Sequence, residues 1–433
     1  MSISRRRFIH MLGAGGLVSG AGLSMPGGLL AGNQSKAAHV VVVGGGFGGA
    51  TAAKYIRKLD PSVTVTLIEP NKRYTTCPGS NWVLGGLRDM KSITHDYSKL
   101  VNNHGVKVVH DLVTSIDASA RKLTLNSGAS IKYDRLVVSP GIDFRWETIE
   151  GYDAAVAEDI PHAWQAGPQT ALLQKQLKAM KDGGTVVIAT PPNPFRCPPG
   201  PYERASMIAH YLKENKPRSK LLILDAKDKF SKQGLFTQGW KALYGYGTEN
   251  SLIEWLPQDK GGRVIGVEAG SRTVLTDFGK HKADVLNVIP AQKAAKLAEI
   301  AGLTDDTGWC PVHPGTFEST IHKGIHVIGD ASIASPLPKS GYAANSEAKV
   351  CAFAVVAMLK GQEPGTPTWV NTCYSLVGPR YGISVAMVYE LTAAGKLSKV
   401  KGAGGVTPMD GNFRIEAAYT ESWYDNIIND VFG

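Results

Sequence analysis

"AHVVVVGGGFGG", residues 38–49, decides how the rest of the chain is read. Val40 to Val43 is an unbroken apolar run, the pattern of a parallel strand buried on both faces. Gly44, Gly46 and Gly49 follow in G-x-G-x-x-G spacing, and Ala50 to Leu59 has helical character. Ser62 to Ile68 reads as the next strand and ends at Glu69. Strand, glycine turn, helix and strand with a terminal acid make a βαβ dinucleotide unit. The glycines let backbone approach a pyrophosphate, the helix N-terminus faces it, and Glu69 can accept from a ribose hydroxyl.

A second unit starts the same way and then departs. Thr185 to Ala189 reads as a buried strand, and Ser219 to Asp225 as its neighbour. The turn between them is "ATPPNPFRCPPGPYERA", residues 189–205. It holds Pro191, Pro192, Pro194, Pro198, Pro199 and Pro201, one cysteine, Cys197, and a single glycine, Gly200. Proline removes N–H donors and fixes φ, so this turn cannot cradle a pyrophosphate on a row of amides. The expectation is a nucleotide fold that has lost its ligand, with no NAD(P).

The fold class expected is therefore α/β, with two Rossmann-like dinucleotide-binding domains. The first spans 37–150 and 290–362. A degenerate NAD-like domain at 151–289 is inserted in it. Residues 363–433 carry no nucleotide signature and read as a small α+β C-terminal interface domain, with Gly382 to Val388 strand-like. No internal repeat or low-complexity block is visible.

With 433 residues, 43% apolar and 19% charged, the composition is that of an ordinary globular enzyme of two or three domains. The formal charge is +10, and Arg5, Arg6, Arg7 and Lys36 carry four of those charges. The remainder is dispersed. It reads as mild steering toward anions or an acidic partner, or as a plain solvated surface, and not as a nucleic-acid face. Ser4-Arg-Arg-Arg-Phe-Ile9 precedes a weakly apolar stretch, Met11 to Leu30. This is the twin-arginine export pattern, S-R-R-x-F-[LI], and predicts a signal over 1–36 and a periplasmic protein. A plain basic N-terminus is the other reading. No stretch is apolar enough to span a membrane.

Two further segments point to a flavin. Tyr133 to Gly141 and Gly324 to Ala331 resemble motifs of the glutathione-reductase-like flavoproteins with two dinucleotide domains. The resemblance implies FAD, with Gly141 beside it and Asp330 on its ribityl or phosphate region. Asp330 could instead be a helix N-cap. A helix from about Gly341 to Leu359 is expected to aim its N-terminus at the flavin ring.

Five cysteines remain, Cys77, Cys197, Cys310, Cys351 and Cys373, and none lies in C-x-x-C-H, so no haem attaches to this chain. No metal ligand set is assigned. Cys197 and Cys373 are each expected in a loop facing the flavin. They could form a redox pair or a disulfide that merely pins the C-terminal segment. Cys77 could be a plain buried thiol. Cys351 reads as core, and Cys310 has no assigned role.

Five motifs together resemble the flavoprotein subunit of flavocytochrome c sulfide dehydrogenase. They are Arg73-Tyr-Thr-Thr-Cys77, Phe195-Arg-Cys197-Pro-Pro-Gly-Pro-Tyr-Glu203, Gly308-Trp-Cys310-Pro-Val312, Pro338 to Ser346 and Asn371-Thr-Cys373-Tyr-Ser375. The resemblance covers nearly all of the chain after residue 36. It implies a thioether from Cys77 to the flavin 8α-methyl, a redox disulfide Cys197–Cys373 and a c-type cytochrome partner with one or two haems. It implies oxidation of hydrosulfide to sulfur or polysulfide. The chemistry agrees, because thiol–disulfide exchange is attack of a sulfur anion on a disulfide. Glu203 is the candidate proton-handling group, or else a helix N-terminal carboxylate. Lys339 is a candidate for the flavin's pyrimidine side, or a surface lysine. Two other readings stay open: a sulfide:quinone oxidoreductase, and a flavoprotein scaffold or thiol-transfer subunit without turnover.

Overall fold

In a computed structural model describing residues 37–433, the valine run forms the strand His39–Val43 in a five-stranded sheet. The order is Ile325–Val327, Arg135–Val138, His39–Val43, Thr64–Ile68, Lys107–Val109, and every pairing is parallel. Val40, Val41 and Val42 are fully buried, as apolar runs in two-sided parallel sheets must be. Helix Phe47–Leu59 follows the glycine turn and packs along helix Gly341–Leu359. Its buried Ala50, Ala52 and Ala53 permit that close approach. The twin-arginine segment, 1–36, lies outside the described residues.

A four-stranded parallel sheet follows, in the order Ile253–Leu256, Lys220–Asp225, Thr185–Thr190, Val285–Val288. Helix Gly200–Asn215 connects Thr185–Thr190 to Lys220–Asp225, so the proline turn stands at the strand-to-helix corner. The two halves repeat one topology. Each makes three parallel strands, an antiparallel three-stranded meander, and a fourth strand that returns beside the first. The meanders span Val113–Lys132 and Val264–Lys282. This is an internal repeat of structure that the sequence does not display. Buried strands demand apolar residues and not particular ones, and the two glycine-turn positions have diverged completely.

The chain crosses between the halves on the antiparallel pair Ile142–Phe144 and Gln292–Ala294. The C-terminal part is a three-stranded antiparallel sheet, Thr368–Gly378, Tyr381–Leu391 and Leu397–Val406, then helix Phe413–Phe432. That helix buries Ala417, Thr420, Tyr424, Ile427 and Val431, one stripe at helical spacing. Lys54 donates to the carbonyls of Asn429 (3.2 Å) and Asp430 (2.9 Å), a cation at the helix C-terminus. No helix among the described residues is long and apolar enough to cross a membrane.

One expectation fails here. Cys373 lies in the strand Thr368–Gly378, opposite Val385, and not in a loop. Its neighbours Asn371, Thr372 and Ser375 are polar because that strand borders a polar site rather than a core. Cys351 is fully buried in the core, and so is Cys310.

Candidate active site

The glycine turn opens on a cavity of about 500 Å³ lined by Gly44, Gly46, Glu69, Gly141 and Asp330. Gly49 is not in its wall. A side chain there would stand 1.8 Å from the Gly44 carbonyl, so Gly49 lets the helix sit against the turn. Glu69 is buried. Its Oε2 accepts from Gly45 N at 2.8 Å, and its Oε1 from Asn71 N and Nδ2 at 2.9 Å. The acid therefore fixes the turn while bordering the cavity. At the far end Asp330 Oδ1 is buried with no hydrogen-bond partner, and Oδ2 stands 3.8 Å from Arg196 Nη1. Burial pushes this carboxyl up. An orphaned acceptor there fits a hydroxyl-bearing chain running on from a dinucleotide. The N-cap role belongs elsewhere: Ser340 caps helix Gly341–Leu359, its hydroxyl accepting from Ala343 N at 3.1 Å. Gly341, at that positive helix end, borders this cavity.

A smaller cavity of about 70 Å³ adjoins it, with room for a few water-sized molecules. Cys77, Cys197 and Cys373 all line it, from three separate segments. Cys77 lines both cavities, and its Sγ donates to the Trp164 carbonyl at 3.6 Å. Cys197 sits at φ +56°, a left-handed position in which a cysteine is strained. Its N–H donates to Lys339 O at 2.7 Å, and its carbonyl accepts from Gly200 N at 2.8 Å. The prolines and these two bonds hold the thiol rigid. Burial pushes both the Cys197 and Cys373 thiols up, and Lys232 works against this at Cys373.

The one glycine of the proline turn now has a reason. A Cβ at Gly200 would stand 2.7 Å from the Trp164 ring and 3.0 Å from Cys197 Sγ. Both must shift to admit it. Gly200→Ala is expected to keep the fold and displace Cys197, changing its alkylation rate about tenfold or more in thiol-labelling kinetics.

Comparison with known proteins agrees with this geometry. Residues 170–290 match the family described as sulfide dehydrogenase [flavocytochrome c] flavoprotein chain, central. Residues 365–432 match flavocytochrome c sulphide dehydrogenase, flavin-binding, and 38–189 match pyridine nucleotide-disulphide oxidoreductase. The sulfide dehydrogenase [flavocytochrome c] flavoprotein chain of Chlorobaculum thiosulfatiphilum is 70% identical over 45 residues, 10% of this chain and 94% of that sequence. The chain belongs to this flavoprotein family. The mitochondrial sulfide:quinone oxidoreductase of Dictyostelium discoideum is 22% identical over 328 residues, 72% of this chain and 69% of that one. The solved sulfide:quinone oxidoreductase of Aquifex aeolicus shares the fold, with TM-score 0.69, 19% identity and 92% of each chain covered. The protein is thus a sulfide-oxidising flavoenzyme that uses FAD. The Gly44–Gly49 turn, Glu69, Gly141 and Asp330 are the residues fit to hold that cofactor.

Three cations surround the cysteine cavity of this sulfide dehydrogenase flavoprotein. Arg196 and Arg204 line it, and Lys232 stands behind Cys373. Arg204 donates only to neutral acceptors: Asn81 Oδ1, Asn287 Oδ1 and the carbonyls of His162 and Ala163. Burial pushes its guanidinium down to about 10. Sequence reasoning passed over all three cations. Arg196 lies inside a quoted motif, but a lone basic residue carries no signal of burial.

Glu203 is in the first turn of helix Gly200–Asn215. Its Oε1 accepts from Trp82 Nε1 at 3.0 Å and from Leu376 N at 2.9 Å, and its Oε2 from Asn81 Nδ2 at 2.9 Å. Leu376 is on the strand that carries Cys373. Glu203 therefore ties the helix that follows Cys197 to the strand that carries Cys373, and all three contacts are donors. The geometry favours a clamp over a proton carrier.

Lys339 meets Cys197 and Asp330 through backbone groups, but its side chain is not in either of these cavities. It lines a separate cavity of about 710 Å³ behind the proline turn. Its Nζ donates to the carbonyls of Asp330 (2.7 Å) and Ser332 (2.8 Å) and lies 3.8 Å from the Trp309 ring centre. With its donors spent on backbone, it braces the loop between Asp330 and helix Gly341–Leu359.

In the second nucleotide unit, Asp225 occupies the place of a ribose-binding acid, at the end of the second strand. It is fully buried and bonded to Thr190 Oγ1, Lys227 Nζ, Tyr202 OH and Trp255 Nε1. Tyr202 and Phe230 stack at 3.6 Å beside it. The turn's amides are also engaged, Arg196 N by Gln292 Oε1 and Cys197 N by Lys339 O.

Proposed function

We propose that this chain is the exported flavoprotein subunit of a sulfide:cytochrome c oxidoreductase, working through a Cys197–Cys373 redox pair. The observation that carries this is the meeting of Cys77, Cys197 and Cys373 in one small cavity flanked by cations. Hydrosulfide enters as an anion and attacks one sulfur of the oxidised pair. A new S–S bond forms to that sulfur, the Cys–Cys bond breaks, and its electron pair leaves on the other cysteine as thiolate. FAD, when bound, supplies a carrier that takes an electron pair and releases single electrons. The residues around the pair exclude water, attract the anion and hold the two sulfurs in register. A second hydrosulfide takes the outer sulfur of the persulfide as polysulfide, which breaks that S–S bond and leaves both cysteines as thiolates; the disulfide re-forms when two electrons are removed from the pair.

The acceptor in this reading is a c-type cytochrome subunit with one or two haems, met in the periplasm after twin-arginine export. The cysteine cavity shares Tyr342, Thr372, Tyr374 and Trp423 with an outer groove of about 430 Å³. Tyr342 and Trp423 stack at 6.4 Å there. An acceptor docked over that groove stands next to the redox site. NAD(P)H is no substrate in this reading, because Asp225 and the proline-turn amides are occupied by protein groups.

A quinone acceptor is the second reading, favoured by the long matches to sulfide:quinone oxidoreductases. Anaerobic reduction by sulfide, followed by addition of either cytochrome c or a short-chain quinone, separates the two. Reoxidation by cytochrome c alone supports the proposal, and reoxidation by quinone alone overturns it. Absence of any flavin bleaching by sulfide indicates the scaffold role instead. The flavin is held by a thioether to Cys77. After acid unfolding the yellow colour is expected to stay with the chain, and to wash away from Cys77→Ser.

A further inference from the structure

Lys232 is the residue whose placement is hardest to explain by folding alone. It precedes helix Gln233–Tyr244 at φ +60° and ψ +26°, a left-handed conformation suited to Gly or Asn. Its side chain makes no cap bond to that helix. Instead Nζ reaches the Cys373 strand, 3.4 Å from Cys373 O and 3.0 Å from Ser375 Oγ. Both partners are neutral. None of the ion pairs among the described residues includes Lys232. The carboxylate nearest in role, Glu203, is occupied by Asn81, Trp82 and Leu376. The ammonium is half-buried and bonded only to neutral groups, with Glu203 and Glu416 as the acids that face it, so its charge is open to an anion that forms beside it.

We propose that Lys232 is a positioning residue that makes Cys373 the leaving thiolate, so that hydrosulfide attacks Cys197 and the persulfide forms there. This rests on the redox-pair reading above. In the step, the hydrosulfide sulfur bonds to Cys197 Sγ, the Cys197–Cys373 bond breaks, and its electron pair goes to Cys373 Sγ, on the strand that the ammonium reaches. The hydrosulfide sulfur is oxidised and Cys373 is reduced. The better leaving group is the sulfur whose thiolate is stabilised. The charged and titratable groups facing Lys232 are Cys373, Glu203, Cys197 and Glu416, and those facing Cys373 are Lys232 and Glu203. Among these, Lys232 alone favours the Cys373 anion, against burial and Glu203, which oppose it. Two guanidinium groups face Cys197, but Arg196 is engaged with Asp330 and the Trp164 carbonyl, and Arg204 spends its N–H groups on Asn81, Asn287 and the carbonyls of His162 and Ala163.

The test uses the flavin-loaded protein as isolated and the variants Lys232→Met, Lys232→Gln and Lys232→Arg, with flavin absorbance as the check on folding. Sulfide-driven flavin reduction is expected to slow about 10–100-fold in Lys232→Met and Lys232→Gln. The pH midpoint for alkylation of reduced Cys373 is expected to rise by about one unit, a tenfold loss of thiolate. Lys232→Arg keeps both within about threefold of wild type. In wild type, a brief pulse of sulfide followed by alkylation leaves the persulfide on Cys197 by peptide mass. Wild-type rates and alkylation in Lys232→Met and Lys232→Gln overturn the inference. So does a persulfide trapped on Cys373, a result that needs no variant and leaves the redox pair intact. Absence of any Cys197–Cys373 disulfide in the oxidised enzyme overturns both readings together.

Discussion

Cys373→Ser stops sulfide from bleaching the flavin, while dithionite still bleaches it. Without the second sulfur there is no disulfide for hydrosulfide to open, and a serine oxygen cannot accept the electron pair. The expected loss in reduction rate is at least about 1000-fold, or roughly 4 kcal/mol of barrier. The fold should tolerate the change. Cys373 sits mid-strand between ladder partners, and its Sγ makes only a long contact, 3.8 Å, to the Tyr374 carbonyl. Stability is expected to move by less than about 1 kcal/mol, within the range of a near-isosteric swap. Cys197→Ser should behave alike. Stopped-flow absorbance with sulfide and then dithionite checks both halves of this expectation. A Cys373→Ser protein that bleaches at the wild-type rate removes the cysteine from the reaction.

Glu203→Ala has the other large effect, and it is on the fold. Truncation leaves Asn81 Nδ2, Trp82 Nε1 and Leu376 N without an acceptor in a buried site. Each unsatisfied donor costs about 1–3 kcal/mol, so a loss of roughly 3–9 kcal/mol is expected. Glu203→Gln keeps an acceptor for two of the three. It should cost about 1–2 kcal/mol and hold flavin reduction within about tenfold of wild type. Denaturant melts and stopped flow, run on both variants, read the two quantities separately. If Glu203→Gln folds like wild type and yet loses reduction by 1000-fold or more, Glu203 carries a proton and is not a clamp.

These two predictions also mark what the sequence could and could not say. The dinucleotide unit was legible because its chemistry is local. Gly44, Gly46, Gly49 and Glu69 lie within one βαβ span, where the cavity needs bare backbone at Gly44 and Gly46, the helix needs Gly49 to sit against the turn, and Glu69 holds the turn. The proline turn was legible for the same reason, since missing amides are visible residue by residue. Glu203's role was not, because its partners are 121 to 173 residues away and all three are neutral. The strand around Cys373 was missed because Asn371, Thr372 and Ser375 break the apolar alternation that marks a strand. They are polar because Asn371 accepts from Ser340 Oγ and Ser375 from Lys232. The C-terminal helix was missed because its buried stripe mixes Ala417 and Thr420 with larger residues. Lys232 gave no signal at all, since its meaning depends on a left-handed backbone that no lysine advertises.

The account stands on Cys197 and Cys373 being a redox pair that sulfide opens. Differential alkylation and peptide mass of the enzyme, as isolated and after one equivalent of sulfide under anaerobic conditions, reads this directly. The account predicts a Cys197–Cys373 cross-linked peptide in the oxidised enzyme that disappears in step with flavin bleaching. Two cysteines that alkylate freely in the oxidised, sulfide-competent enzyme would contradict it.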